Sequence, residues 1–347
     1  MMEGVAELPE AEKSLAYLSI YKVALLIPLS SVIGVIVGSI IQRKNIHDLI
    51  KSGHTRDEAR ALTQVQSERP SINWWILGGG LAFALLSISV GLLDVPGAQE
   101  IVFLVSAAII FFLMSKLIKE LDSEARQVLI GTAIIIFAYR AVPNTGAGTT
   151  WWMIDVLEFD QSFIAQLSLI ASFLALFGMI IFRKFMAEKS IAYVIGALAI
   201  VGTLLMVPDI AMFYGFHYWT AQMTDGIVDQ RFIAVIDTAM ESPLGQIAMV
   251  PMLAWIANSA PQNLKATFFA VMASFANLAL SAAQLGTKYL NQIYTIAREV
   301  KDRDTDLITT AANYDELGAL FITVAIIAIS LPLAAIMLVK FFKIKSA

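Results

Sequence analysis

Residues 231–291 read RFIAVIDTAMESPLGQIAMVPMLAWIANSAPQNLKATFFAVMASFANLALSAAQLGTKYLN. Two long apolar runs flank a polar turn, Asn258-Ser259-Ala260-Pro261-Gln262-Asn263, so the stretch predicts two membrane helices joined at one face of a bilayer. Asp237 and Glu241, four apart, share a face of the first helix. On the second, Ser274, Asn277, Ser281, Gln284 and Lys288 recur at helical spacing and draw one polar stripe down an apolar helix. Small and amide side chains often glue membrane helices together, which accounts for the serines alone. Ionisable groups in hydrocarbon are costly and face a bundle interior or a water-filled cavity. The stretch therefore predicts an all-α membrane protein with a polar path through it.

Composition points the same way. Hydrophobic residues make up 58% of the chain and charged ones 15%, with a mean hydropathy of +0.73, outside the range of ordinary soluble domains. Cysteine is absent, which excludes disulfides, thiol chemistry and cysteine metal sites. His47, His54 and His217 are scattered, without metal-ligand spacing, so neither metal nor cofactor is expected. Net charge is −4, and no basic surface suggests nucleic acid. Residues 1–13 lack the positive start of a cleavable signal peptide.

Nine spans are predicted, over 17–42, 73–94, 99–119, 124–143, 161–182, 190–208, 231–258, 264–291 and 314–342. Basic residues crowd alternate connections: Arg43, Lys44, Lys51, Arg56, Arg60 and Arg69; then Lys116, Lys119 and Arg126; then Arg183, Lys184 and Lys189; then Lys265; and Lys340, Lys343 and Lys345 at the end. The positive-inside rule makes that side cytoplasmic, with the N-terminus outside and the C-terminus inside. A bacterial inner (plasma) membrane is the expected setting.

The connection 43–71 reads as two short cytoplasmic helices around Ser52-Gly53-His54-Thr55, with Thr55 and Glu58 forming a capping box. The fourth span ends in Tyr139-Arg140-Ala141-Val142-Pro143-Asn144-Thr145-Gly146-Ala147-Gly148-Thr149-Thr150-Trp151-Trp152. Pro143 and the glycines break it, and broken helices line sites in transporters. An interfacial tryptophan belt with a snorkelling arginine also produces such a pattern; that suffices for Trp151, whereas Arg140 beside the break reads as functional. Gly146-x-Gly148 is no nucleotide fingerprint, since no strand precedes it. Asp209 reads as a helix-end residue, the aromatic run 213–219 as an element lying in the outer interface, and 298–316 as a solvated loop of mixed charge.

Two of these stretches resemble the folate/biopterin transporter branch of the major facilitator superfamily. One is the broken helix from Arg140 through Trp152. The other is Ala260-Pro261-Gln262-Asn263-Leu264-Lys265-Ala266-Thr267-Phe268-Phe269-Ala270-Val271-Met272-Ala273-Ser274, with Asn277 behind it. The turn Phe182-Arg183-Lys184-Phe185 is similar to that family's short basic loop. The resemblance implies two six-helix halves, with residues 1–122 supplying the last three helices of the first and 123–347 the whole second. Three front helices are then missing, as in a fragment. It further implies alternating-access uptake of a small anionic organic solute, folate or pterin foremost, and the intramembrane carboxylates add an expectation of proton symport. The residues offer matching chemistry. A carboxylate of Asp237 or Glu241 can accept the paired N–H donors of a pterin edge, and Trp152 can stack on the ring. Arg140 or Lys288 can pair with a solute carboxylate. Asn144, Asn277 and Gln284 complete the candidate binding set. A carboxylate in a poorly hydrated path is also suited to carrying a proton.

The competing reading is a non-transporting assembly or scaffold protein of the same fold. An intramembrane enzyme finds no His-Glu-x-x-His, Gly-x-Ser-x-Gly or cysteine to support it. Convergence of Arg140, Asp237, Glu241, Asn277 and Gln284 on one cavity favours transport; separate partners favour the scaffold. The orientation is checked by single cysteines placed in this cysteine-free chain. Lys345→Cys and Asp302→Cys should react with an impermeant thiol reagent from opposite sides of the membrane, and same-side labelling would overturn the nine-span topology.

Overall fold

The computed structural model describes residues 18, 21–63, 74–92, 96–245, 247–259, 265–302, 305 and 307–346. Residues 260–263 of the predicted turn 258–263, Arg69 and the first 17 residues lie outside them. Residues 1–72 and 73–347 form two compact units.

In the first unit, helix α1 (Leu26–Lys51) is followed by α2 (Arg56–Leu62). Two short helices were expected over 43–71. Instead α1 runs unbroken from the span to Lys51, because no proline or glycine falls between Gly38 and Gly53, whose φ is +96°. The capping box forms as expected. The backbone N–H of Thr55 donates to Glu58 Oε2 at 2.9 Å, and that of Glu58 donates to Thr55 Oγ1 at 3.3 Å. Those bonds from Thr55, backbone first, hold the Glu58 carboxyl below its ordinary range.

The second unit holds α3 (Trp74–Leu92), α4 (Ala98–Lys119), α5 (Ser123–Arg140), α6 (Gly148–Asp155), α7 (Gln161–Ile181), α8 (Arg183–Glu188), α9 (Ile191–Leu205), α10 (Val207–Phe213), α11 (Phe216–Met223), α12 (Gln230–Glu241), α13 (Met249–Ser259), α14 (Lys265–Ile293) and α15 (Leu317–Phe341). Among the described residues each predicted span carries helix, and six helices are long and apolar enough to cross a membrane. The protein is an integral, multi-pass, all-α membrane protein.

Three predicted elements differ. The span 231–258 is not one helix. It stops at Glu241, passes through a 3₁₀ turn at Ser242–Leu244 and restarts at Met249, because Pro243 has no N–H to give and crowds the preceding turn. The span 190–208 instead continues: Pro208 sits in the first turn of α10, where proline is tolerated, so Asp209 lies within a helical run. The loop 298–316 contains a two-stranded antiparallel hairpin, β1 (Val300–Lys301) with β2 (Ile308–Thr310). The hairpin is exposed, as its mixed charges suggest, and is pinned at its base. Arg298 forms an ion pair with Asp155 at 3.0 Å, and the Tyr314 hydroxyl donates to the same carboxylate. Burial and the Asp155 bond push Tyr314 up to about 12.

Helix α14 packs on α4 and α5, α15 on α5 and α9, and α7 on the 3₁₀ turn. Much of the apolar surface of these helices faces outward, as lipid permits, and association rests on close packing. Gly178 of α7 is one such contact. A Cβ there would lie 2.6 Å from the Cα of Pro243, with rigid backbone on the other side. Gly178→Val is therefore expected to lower stability by about 1–3 kcal/mol, measured as a reduced melting temperature in detergent. Gly38→Ala, with nothing within 4 Å of the added carbon, should leave that temperature unchanged or raised.

Candidate functional site

Helix α5 begins at the N-cap Asp122, which accepts from the Ala125 N–H at 2.8 Å, and ends at Arg140. The backbone then leaves the helix through Pro143 and an Asx turn, with Asn144 Oδ1 accepting from the Gly146 N–H at 2.8 Å and Gly146 at φ +75°. This break is fastened to α14. Arg140 Nε donates to the Ala276 carbonyl at 3.1 Å, the Asn144 N–H to Thr287 Oγ1 at 2.9 Å, and Asn291 Nδ2 to the Thr145 carbonyl at 3.3 Å. Pro143 lies against Gly286, where an added Cβ would sit 3.2 Å from the proline ring.

Beside the break lies a cavity of about 260 Å³ lined by Pro143, Asn144, Thr145, Thr149, Asp209 and Glu241. Thr145 and Thr149 share a hydroxyl–hydroxyl bond of 2.6 Å. Asp237, one turn before Glu241, is only 8% exposed, and its Oδ1 has no hydrogen-bond partner. It lies within Coulombic reach of both Asp209 and Glu241. Three carboxylates from α10 and α12 thus gather among apolar helices, where an unpaired charge is expensive.

The polar stripe of α14 borders a different space. Ser274, Asn277 and Ser281 face Gly79 and Gly80 of α3 and Ser106 of α4 across a cavity of about 290 Å³. Through Phe83, Ser106 and Ser281 it adjoins a larger space of about 930 Å³ bordered by Gln99, Gln284, Thr287 and Lys288. Lys288 Nζ pairs with Glu100 Oε1 at 2.6 Å, and the Tyr289 hydroxyl donates to the same oxygen at 2.9 Å.

The candidate residues are therefore divided between two cavities instead of converging on one. Asn144 and Glu241 border the acidic cavity, and Asp237 lies one turn from Glu241 without bordering it; Asn277, Gln284 and Lys288 border the groove. The cause is the orientation of α12, which packs against α7, α9 and α10, while the stripe on α14 looks toward α3 and α4. Arg140 borders neither cavity among those described and braces α5 to the α14 backbone. Trp152 is 3% exposed, with Phe213 and Phe321 rings centred 5.8 and 6.1 Å away. It is a core residue and offers no open face for stacking. Two further residues take part: Asp209, which reads in the sequence as a helix-end residue, and Glu100, which nothing in the sequence singles out. Asp209 was legible from Pro208, which starts a helix without ending the apolar run. Glu100 had no local signal, since its partner lies 188 positions away.

A multi-pass helical bundle with carboxylates inside its apolar helices and polar cavities beside a broken helix belongs with the membrane transporters. Residues 123–344, well over half of the chain, match the BT1 family, a family of membrane transporters and not of enzymes, and the chain belongs to it. It is also similar to the folate-biopterin transporter of Synechocystis sp., 25% identical over 154 residues that cover 44% of this chain and 30% of that protein. The matched part is thus less than a third of the relative's length. No solved structure matches the chain significantly. The family resemblance drawn from the two sequence stretches stands. Trp152→Ala tests the core role assigned here. It should cost about 3–5 kcal/mol, the range for deleting a buried large aromatic, seen as early thermal unfolding in detergent. An unaltered melting temperature would return Trp152 to the candidate binding residues.

Proposed function

We propose that this protein takes part in alternating-access transport of a small anionic organic solute, folate- or pterin-like, coupled to protons. The observation that carries the reading is Asp237, a carboxylate buried among apolar helices with one oxygen unpartnered, next to two further acids. Such a group is a standing cost unless it exchanges protons or a charged partner in use. Cavity size supports a division of labour. Small-molecule sites span about 300–1,000 Å³, so the groove along α14 suits the solute and the smaller acidic cavity suits protons. In the groove, the amides of Asn277 and Gln284 can both donate and accept along a heteroaromatic edge, and Lys288 supplies a cation for a carboxylate. The groove lies between α3 and α4 on one side and α14 on the other, where halves divided at 122/123 would meet. On this reading the basic connections face the cytoplasm of a bacterial cell.

One observation favours the scaffold reading: Arg140 and Lys288 both already have partners within the protein. Asp237 counts against it, since a static assembly gains nothing from an unpaired buried acid. The test is uptake of labelled folate and biopterin by the full chain reconstituted in liposomes, with and without a proton gradient. Uptake is expected to rise with an outside-acid gradient, and Glu241→Gln should abolish that response while leaving solute exchange measurable. Unchanged gradient dependence in Glu241→Gln would remove the acidic cavity from coupling. Failure of both solutes to enter would overturn the solute class.

A further inference from the structure

The ion pair between Glu100 and Lys288 stands at one end of the solute groove and joins α4 to α14. Its geometry is lopsided. Both donors, Lys288 Nζ at 2.6 Å and the Tyr289 hydroxyl at 2.9 Å, address Glu100 Oε1, while Oε2 is buried without a partner. A carboxylate with one oxygen doubly served and the other stranded gives up part of what a buried anion needs. Both side chains are about one-third exposed or less, 33% for Lys288 and 26% for Glu100, so the pair is neither a solvated surface contact nor sealed in the core.

We propose that Glu100 is a built-in competitor for the solute's carboxylate: an anionic solute in the groove takes Lys288 from Glu100 and thereby unties α4 from α14. This rests on the solute reading above and adds to it the residue that selects carboxylates. Three features of the site support an exchange. Removing one partner of a half-buried pair leaves a charge uncompensated, but replacing one carboxylate by another on the same ammonium does not. Glu100 is not stranded when Lys288 leaves, because it sits in the first turn of α4, where the helix dipole favours an anion. Gln284, one turn from Lys288 on the same stripe and bordering the same space, offers an amide N–H to the second oxygen of an incoming carboxylate. A solute without a carboxylate meets the tie closed and has nothing to exchange for it.

The experiment has two readouts. Folate, which ends in a glutamate, and biopterin, which has no carboxylate, are bound to the purified full chain. Glu100→Gln removes the competitor and should tighten folate roughly tenfold more than biopterin, a difference of about 1.4 kcal/mol. Lys288→Gln should weaken folate alone. Equal shifts for both ligands, or looser folate binding in Glu100→Gln, would overturn the exchange. The second readout needs no solute. A single cysteine at Val102→Cys, bordering the groove, should react several-fold faster with an impermeant maleimide when combined with Glu100→Gln. Unchanged labelling means the pair ties nothing and the proposal falls, even with folate transport intact. Absence of binding by either ligand in every variant, with labelling still accelerated, overturns the solute reading and the exchange with it. Should Glu100→Gln fail to fold, Glu100→Asp, one methylene shorter and unable to keep the same contact, serves both readouts.

Discussion

In hydrocarbon no water is available to satisfy a backbone group that leaves a helix, so every break must be met by protein. The interruption after Arg140 is the place where this constraint shapes the molecule. Freed from α5, the chain gives its Asn144 N–H to Thr287 and receives the Asn291 amide at the Thr145 carbonyl, while Arg140 reaches across to the carbonyl of Ala276. These bonds set α5 against α14, and the position of α14 then decides which of its faces borders which cavity. The second interruption, at Pro243, is handled differently. There α7 presents Gly178, and the missing side chain lets the backbone of the turn come close.

The two breaks have a shared consequence. Each ends a helix with an ionisable residue, Arg140 and Glu241, at a point where the chain can no longer shield it with its own turn. Arg140 spends its charge on the carbonyl of a neighbouring helix. Glu241 instead borders a cavity with Asp209, and the stripe on α14 borders a separate groove. Keeping a carboxylate cluster apart from an amide-lined groove with a paired lysine is a chemically sensible division.

What could be read from the chain follows from locality. Apolar runs of span length predict nine segments, of which the described residues hold six helices long and apolar enough to cross a membrane, and the Thr55–Glu58 capping box sits within four residues. The motifs at residues 140–152 and 260–274 were enough to recognise the family. Proline was the least transparent residue. Pro143 reads as a break and is one; Pro208 closes the predicted span 190–208 yet sits in the first turn of a helix, and Pro243 divides a span that the apolar pattern runs through. The difference lies in whether the preceding turn still needs the missing N–H, which depends on where the helix begins.

By itself, then, the sequence determined the class of the protein, the polar stripe on residues 274–288 and the family, all properties of residue type and short spacing. Only the tertiary structure decided that Trp152 belongs to the core, that Asp209 joins Asp237 and Glu241, that the stripe and the acids face different cavities, and that Lys288 is paired with Glu100. The physical reason is that a helix's periodicity tells which residues share a face but carries no information about what that face meets. Partners such as Glu100 and Lys288, 188 positions apart, are brought together by the packing of α4 against α14, and no local pattern records it.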